Sequence, residues 1–184
     1  MADVLVEELF RNGKLYYKRY SLDGQLHRDP VEGPALEEYH SNGQIQTRMY
    51  YSHGEFHNPY DLPAIQKWHE SGQVYIKRYY LNGERHRGNG PAGEYWNSDG
   101  KKTLQYYYME GQLHRDPLEG PAREEWHSNG QKSAQYYYTD GRWHRDPLEG
   151  PACQSWDING KQTYEEYFVN GRVAQKQIEL KLQP

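Results

Sequence analysis

Apolar and polar positions alternate along this chain in short runs, and the runs recur. Each recurrence holds two glycine-bearing turns. Four residues before the second glycine stands a tyrosine every time: Tyr20, Tyr50, Tyr79, Tyr107, Tyr137 and Tyr167. Four residues before the first glycine stands a large side chain: Leu9, Tyr39, Trp68, Trp96, Trp126 or Trp156. One place after each tyrosine come Ser21, Tyr51, Tyr80, Tyr108, Tyr138 and Phe168, with Tyr17, Thr47, Ile76, Leu104, Ala134 and Tyr164 behind them. Successive strand side chains point to opposite faces, so both faces of these strands are partly apolar. No helical period is visible, and the pattern predicts strands throughout.

The turns set the spacing. The first of each pair is Asn12-Gly13, Asn42-Gly43, Ser71-Gly72, Asp99-Gly100, Asn129-Gly130 or Asn159-Gly160. The second is Asp23-Gly24, His53-Gly54, Asn82-Gly83, Glu110-Gly111, Asp140-Gly141 or Asn170-Gly171. The two glycines are always 11 residues apart, and the step between units is 28 to 30 residues. Such dipeptides between apolar-aromatic runs predict type I′ hairpin turns, which need positive φ at both central residues. The fold class that follows is all-β, an elongated antiparallel hairpin-repeat array of about six units.

The units run over approximately 7–35, 36–64, 65–92, 93–122, 123–152 and 153–173, within a single array spanning 1–184. They are linked by His-Arg-Asp-Pro…Gly-Pro-Ala, in which Pro30, Pro117 and Pro147 end the pairing because proline has no N–H for a ladder. Unit two has His57-Asn58 and Leu62 in place of arginine and glycine; unit three is two residues shorter, at His86-Arg87-Gly88-Asn89-Gly90. Over 174–184, Ile178, Leu180 and Leu182 alternate with Glu179, Lys181 and Gln183. This predicts a half-buried last strand, read either as a cap or as an edge for homo-oligomer pairing.

Composition sharpens the picture. Leu, Ile, Val and Phe make up only 28 of 184 residues, but 19 Tyr and 5 Trp supply the missing apolar mass. An aromatic ring buries about 150–250 Å², so an aromatic core with a polar skin is expected. The net charge is −4, without a basic stripe, which argues against nucleic acid as a partner. No apolar run approaches the roughly 20 residues of a membrane span, and the start at Met1 has no secretory pattern. With Cys153 as the lone cysteine, a cytoplasmic location is expected.

Candidate chemistry is sparse. His-Arg-Asp at 27–29, 114–116 and 144–146 has the letters of a kinase catalytic loop but none of the accompanying motifs. The histidine column (His27, His57, His86, His114, His144) advances by at least two strands per unit, about 10 Å. Neighbours at that spacing cannot share an ion held at ~2.0–2.1 Å, so neither metal nor cofactor is expected. Glu37-Glu38 and Glu124-Glu125 point to opposite faces and cannot act as an acid/base pair. No enzyme is predicted. The remaining candidates form a binding row: Tyr79, Tyr107 and Tyr137, flanked on the same face by Arg48 and Lys77, with Arg87, Arg115 and Arg145 after the histidines. The row is read either as core or as an exposed face. The arginines are read as stacking on a neighbouring aromatic or bridging to an acid.

Tyr-Tyr-x-x-Asn-Gly-x-x-His-Arg…Gly-Pro-Ala followed by Trp-x-x-Asn-Gly resembles the divergent MORN-like hairpin repeats of bacteria, phages and large DNA viruses, over about residues 7–173. The resemblance implies an elongated antiparallel array without a catalytic site, and an antitoxin-like label for some bacterial relatives. Eukaryotic MORN repeats are associated with phospholipids and scaffolding. This chain has Tyr-x-x-x-Gly where those have Tyr-x-Gly, which together with its acidity points away from a membrane partner. The functional expectation is a protein that binds a protein partner through an extended aromatic-rich face, as an inhibitor or antitoxin-like factor. The alternative is a module that stacks a glycan or nucleotide on the tyrosine row.

Overall fold

The computed structural model describes residues 4–176, and every regular element within them is a strand. The first unit supplies β1 (Leu5–Arg11), β2 (Lys14–Leu22) and β3 (Gln25–Leu26). The second supplies β4 (Leu36–Tyr39), β5 (Ile45–Met49), β6 (Tyr51–Ser52) and β7 (Glu55–Phe56). The third has β8 (Ile65–Trp68), β9 (Val74–Arg78), β10 (Tyr80–Leu81) and β11 (Glu84–Arg85). The fourth has β12 (Gly93–Trp96), β13 (Lys102–Tyr106), β14 (Tyr108–Met109) and β15 (Gln112–Leu113). The fifth has β16 (Arg123–Trp126), β17 (Lys132–Tyr136), β18 (Tyr138–Thr139) and β19 (Arg142–Trp143). The sixth ends the array with β20 (Cys153–Trp156), β21 (Gln162–Val169) and β22 (Arg172–Ala174). The predicted last strand falls mostly on residues 177–184, outside the described part.

One long antiparallel sheet runs through the array in the order β1-β2-β4-β5-β8-β9-β12-β13-β16-β17-β20-β21-β22. Each unit adds two strands, one join inside the hairpin and one across the seam to the next. Beside this sheet lies a second row of short hairpins, β6-β7, β10-β11, β14-β15 and β18-β19. Backbone bonds stitch this row as well: Gly54 N–H donates to the Leu26 carbonyl (2.9 Å) and Gly83 N–H to that of Phe56 (2.9 Å).

The strand between the two turns divides in the middle units, and it divides at the invariant tyrosine. Tyr50 N–H donates to the Ala64 carbonyl in the next hairpin (2.8 Å), while its own carbonyl accepts from His57 N–H (3.1 Å). Tyr79, Tyr107 and Tyr137 do the same with Ala92, Ala122 and Ala152 on one side and His86, His114 and His144 on the other. The tyrosine backbone is thus a fork at which the chain leaves the long sheet for the short-hairpin row.

Turn chemistry separates the two sets of glycines. At all six second turns both central residues have positive φ, as at Asp23 (49°) and Gly24 (79°), so these are type I′. Only Asn12-Gly13 among the first turns shares that geometry. In the other five, glycine alone is left-handed, Gly43 at 88° for example. There Gly43 N–H donates to the His40 carbonyl and His40 N–H to that of Gln44, both at 2.9 Å. This is a three-residue loop with a bulge, and it corrects the uniform type I′ expectation. The extra residue has a consequence in register. Tyr39 stands opposite Ile45, whereas the shorter first turn sets Phe10 rather than Leu9 opposite Leu15.

The core is aromatic and small at once. Ala35, Ala64, Ala92, Ala122 and Ala152 have no exposed surface, and Tyr79, Tyr106, Tyr137, Trp68 and Phe168 are buried around them. Ring pairs cross the seams: Phe56 meets Tyr51 of its own unit (4.4 Å) and Tyr80 of the next (5.1 Å). Trp143 does the same with Tyr138 and Phe168. Because every unit pairs a strand of the long sheet with its neighbour's, stability is expected to spread along the array as nearest-neighbour coupling.

Candidate interaction surface

The predicted tyrosine row is roofed over. Tyr79 and Tyr137 are buried and Tyr107 half-buried. The guanidinium of Arg28 lies 3.9 Å from the ring centre of Tyr20, Arg87 3.8 Å from Tyr79, and Arg115 and Arg145 4.0 Å from Tyr107 and Tyr137. Each guanidinium also donates through Nη1 to a proline carbonyl of the Gly-Pro-Ala run: Pro34, Pro91, Pro121 or Pro151, at 3.2–3.3 Å. The glycine before that proline makes room. A Cβ on Gly120, whose φ is 131°, would sit 2.7 Å from Arg115 Nη1. A sugar or base stacking on these rings would have to displace an arginine.

The rest of the linking motif is accounted for in the same local terms. Asp29 Oδ1 accepts from Val31 N–H (2.9 Å) and its carbonyl from Glu32 N–H (2.9 Å), closing a tight turn that proline initiates. Asp116 and Asp146 repeat this with Leu118 and Leu148. The histidine Nδ1 atoms accept backbone N–H groups from the next unit's second turn: His27 from His53 (3.1 Å), His57 from Asn82 (3.2 Å), His144 from Asn170 (3.2 Å). A backbone N–H can only donate, so these rings present a lone pair at Nδ1 and carry their proton on Nε2. The sparser histidines also reach forward, with Nε2 of His40 and His127 donating to the carbonyls of Trp68 and Trp156. Among the described residues, no group of three or more His, Cys, Asp or Glu could hold a metal ion.

Arg48 and Lys77 belong to a polar ladder that zigzags across the sheet. Arg48 Nε pairs with Glu37 Oε1 (3.1 Å), and Lys77 stands between Gln66 and Glu94 in register, its ammonium 5.7 Å from the Trp96 ring. Further along, Glu124 is buried and accepts from Gln105 (2.6 Å) on one neighbour strand and Gln135 (2.9 Å) on the other. Burial pushes the Glu124 carboxyl up, but bonds from Gln135, Lys132 and Gln105 outweigh it and hold the group below the usual carboxylate range. The structure thus divides the predicted residues between arginine-roofed tyrosines and a polar ladder on the sheet, in which Arg48 is exposed.

What does face outward is a row the sequence reading passed over. At the tips of four of the five linking loops stands an exposed apolar side chain: Val31 73% exposed, Tyr60 54%, Leu118 83% and Leu148 52%, with Leu62 also exposed in the loop of Tyr60, which is one residue shorter. Acids flank them: Asp29 and Glu32, Asp61, Asp116 and Glu119, Asp146 and Glu149, all exposed. Unit three, two residues shorter, carries Gly88-Asn89 there and interrupts the row with an open cleft of about 170 Å³ bordered by Asn58, Asp61, Tyr79 and Arg87. A signal was present in the sequence. An aliphatic residue held between Asp-Pro and Glu-Gly sits in a turn too tight to bury it.

No helix among the described residues is long and apolar enough to cross a membrane. Comparison of the chain with protein-family models, with characterised proteins and with solved structures returned no match.

Proposed function

We propose that this chain is a non-enzymatic interaction protein that binds a protein partner along the row of loop tips. The observation that carries the reading is Leu118, 83% exposed at the tip of a rigid turn, with Leu148 and Val31 in equivalent places. Isolated exposed leucines are common. Apolar tips at Val31, Tyr60, Leu118 and Leu148, set whole unit steps of about 10 Å apart with a gap at unit three and each beside acids, make an extended pattern a partner can match. The fitting partner offers apolar sockets at that step with lysine or arginine around them.

A MORN-like repeat type and an inhibitor or antitoxin-like role belong to the same reading, since a long face suits covering another protein's surface. A cytoplasmic setting goes with it, supported by a single cysteine, Cys153, that is buried as a free thiol. The test is capture of a stoichiometric partner from the native cell, repeated with the Leu118→Asp/Leu148→Asp chain. Both substitutions are on the surface, so melting should stay unchanged while capture falls at least tenfold and weakens further with salt. Equal capture by both chains, or no stoichiometric protein at all, rejects the proposal.

A further inference from the structure

The long sheet has an open side at its first strand. All seven residues of β1 are exposed, including Leu5, Val6, Leu9 and Phe10, and among the described residues no strand lies beyond it. An unpaired strand of this length with apolar side chains is a template for another strand. The interior of the array shows what such a neighbour has to look like. The equivalent strands β4, β8, β12, β16 and β20 are paired on both sides, and where the matching position holds an acid, at Glu37, Glu94 and Glu124, it faces a basic or amide side chain on each neighbouring strand. Glu124 takes Gln105 across the seam and Gln135 inside its own hairpin. Glu37 pairs with Arg48 inside its hairpin and stands opposite Lys18 across the seam.

Glu8 is the counterpart of these residues at the edge. It stands opposite Lys18 as Glu37 stands opposite Arg48, and Lys18 Nζ lies 2.9 Å from it. Its outward side has no such partner among the described residues. Glu7 beside it is opposite Arg19 and bonded to it at 2.6 Å. The pattern that satisfies this acidic pair from within is therefore Tyr17-Lys18-Arg19, and the same pattern suits the outer side.

A second copy does not supply it. If the array were continued head to tail in its own seam register, β21 of one chain would meet β1 of another. Tyr164, Glu165 and Glu166 occupy the places of Tyr17, Lys18 and Arg19, so Glu165 would face Glu8 and Glu166 would face Glu7. Two copies of β1 paired antiparallel in full overlap set Glu8 against Glu8, and sliding the pair toward Leu5 sets Glu7 against Glu8 or Glu7. Like charges directly opposite on neighbouring strands are destabilising.

We infer that the outer edge of β1 receives an extended strand from a different protein, one carrying two adjacent basic residues between apolar or aromatic ones. Main-chain bonds supply the affinity, and the paired acids set the register. This surface is separate from the loop tips.

The probe is a fluorescent synthetic peptide of the chain's own residues 14–22, titrated into the full-length protein and read by anisotropy. A second peptide carries Lys18→Glu and Arg19→Glu. The first peptide should bind at least fivefold more tightly than the second, a contrast that shrinks with salt. The Glu8→Gln chain, which keeps its size and removes the charge, should reduce that contrast about threefold. The Leu118→Asp chain should leave it unchanged, which separates this inference from the loop-tip reading. Equal affinity for both peptides, or binding of neither, overturns the inference. So does light scattering that shows a dimer or chain of copies which Glu8→Gln strengthens, because a second copy would then occupy the edge.

Discussion

The guanidinium of Arg87 lies 3.8 Å from the centre of the Tyr79 ring and covers one of its faces. The contact recurs with Arg28, Arg115 and Arg145. Unit two has no such arginine. Its Asn58 is buried, with an amide nitrogen that lacks a hydrogen-bond partner. A motif that reads like a catalytic loop is thus a clasp between a hairpin and the loop leaving it.

Replacing Arg115 by alanine removes both the contact with Tyr107 and the bond to the Pro121 carbonyl. Cation–π and hydrogen-bond terms together predict a loss of about 1–2 kcal/mol, read from the shift in denaturant midpoint. Lysine at the same place keeps the charge but not the planar fork, and should fall between the two. A midpoint unchanged in Arg115→Ala would mean the clasp is decorative.

Gly93 stands where other units have Leu36, Ile65, Arg123 and Cys153. The ring of Tyr106 occupies that space, and a Cβ there would lie 2.1 Å from it. The Tyr106 hydroxyl is 2.7 Å from that of Tyr95, which accepts from Arg78 Nε at 2.7 Å. Gly93→Ala should therefore destabilise the fold by about 1–3 kcal/mol. Gly88→Ala, with open space around it, should be near neutral. Combining Gly93→Ala with Tyr106→Leu should cost less than the two changes summed. Thermal melts of the four chains decide the matter.

Burial pushes the hydroxyl pKa of Tyr51, Tyr79, Tyr107, Tyr136 and Tyr138 above the usual tyrosine value, and that of Tyr106 is pushed up by burial and by its bond with Tyr95. A raised folded value stabilises fully below the free-tyrosine value of about 10 and is lost as pH climbs through the folded one. Much of the tyrosinate absorbance should therefore appear together with loss of the strand signal in circular dichroism. Full tyrosinate formation near the free value with the strand signal intact would contradict the buried-ring core.

The thiol of Cys153 is pushed up to about 12, first by burial and then by the Glu166 carboxylate, and the residue is 2% exposed. Reaction needs the thiolate. Iodoacetamide at mildly alkaline pH should leave the native chain almost unlabelled and modify it fully in denaturant. Fast native labelling would show that the seam between the last two units opens readily.

Much of the framework was legible in the residues. Twelve turn dipeptides at a fixed spacing of 11 announced the hairpins, and the arginine after four of the five column histidines reads as stacking on an aromatic or bridging to an acid. Other features were hidden by the code itself. Asn42-Gly43 and Asp23-Gly24 look alike, yet only the second is a two-residue turn, because the first loop shares its strain with a bulge beside Tyr39. The division of the strand at Tyr50 was also invisible, since it depends on a bond to Ala64, in the hairpin that follows.

The sequence alone determined the strands, the reversals and their count, because these follow from local φ preferences and from a two-residue alternation that each segment carries within itself. Which aromatic face would be covered was decided only by the tertiary structure. With apolar side chains on both faces of the segments between the two turns, alternation cannot tell inside from outside. The choice is made by what arrives from elsewhere: a guanidinium from the loop about eight residues further on, clasped to a proline carbonyl, roofs Tyr107 and leaves Leu118 as the side chain that meets the solvent.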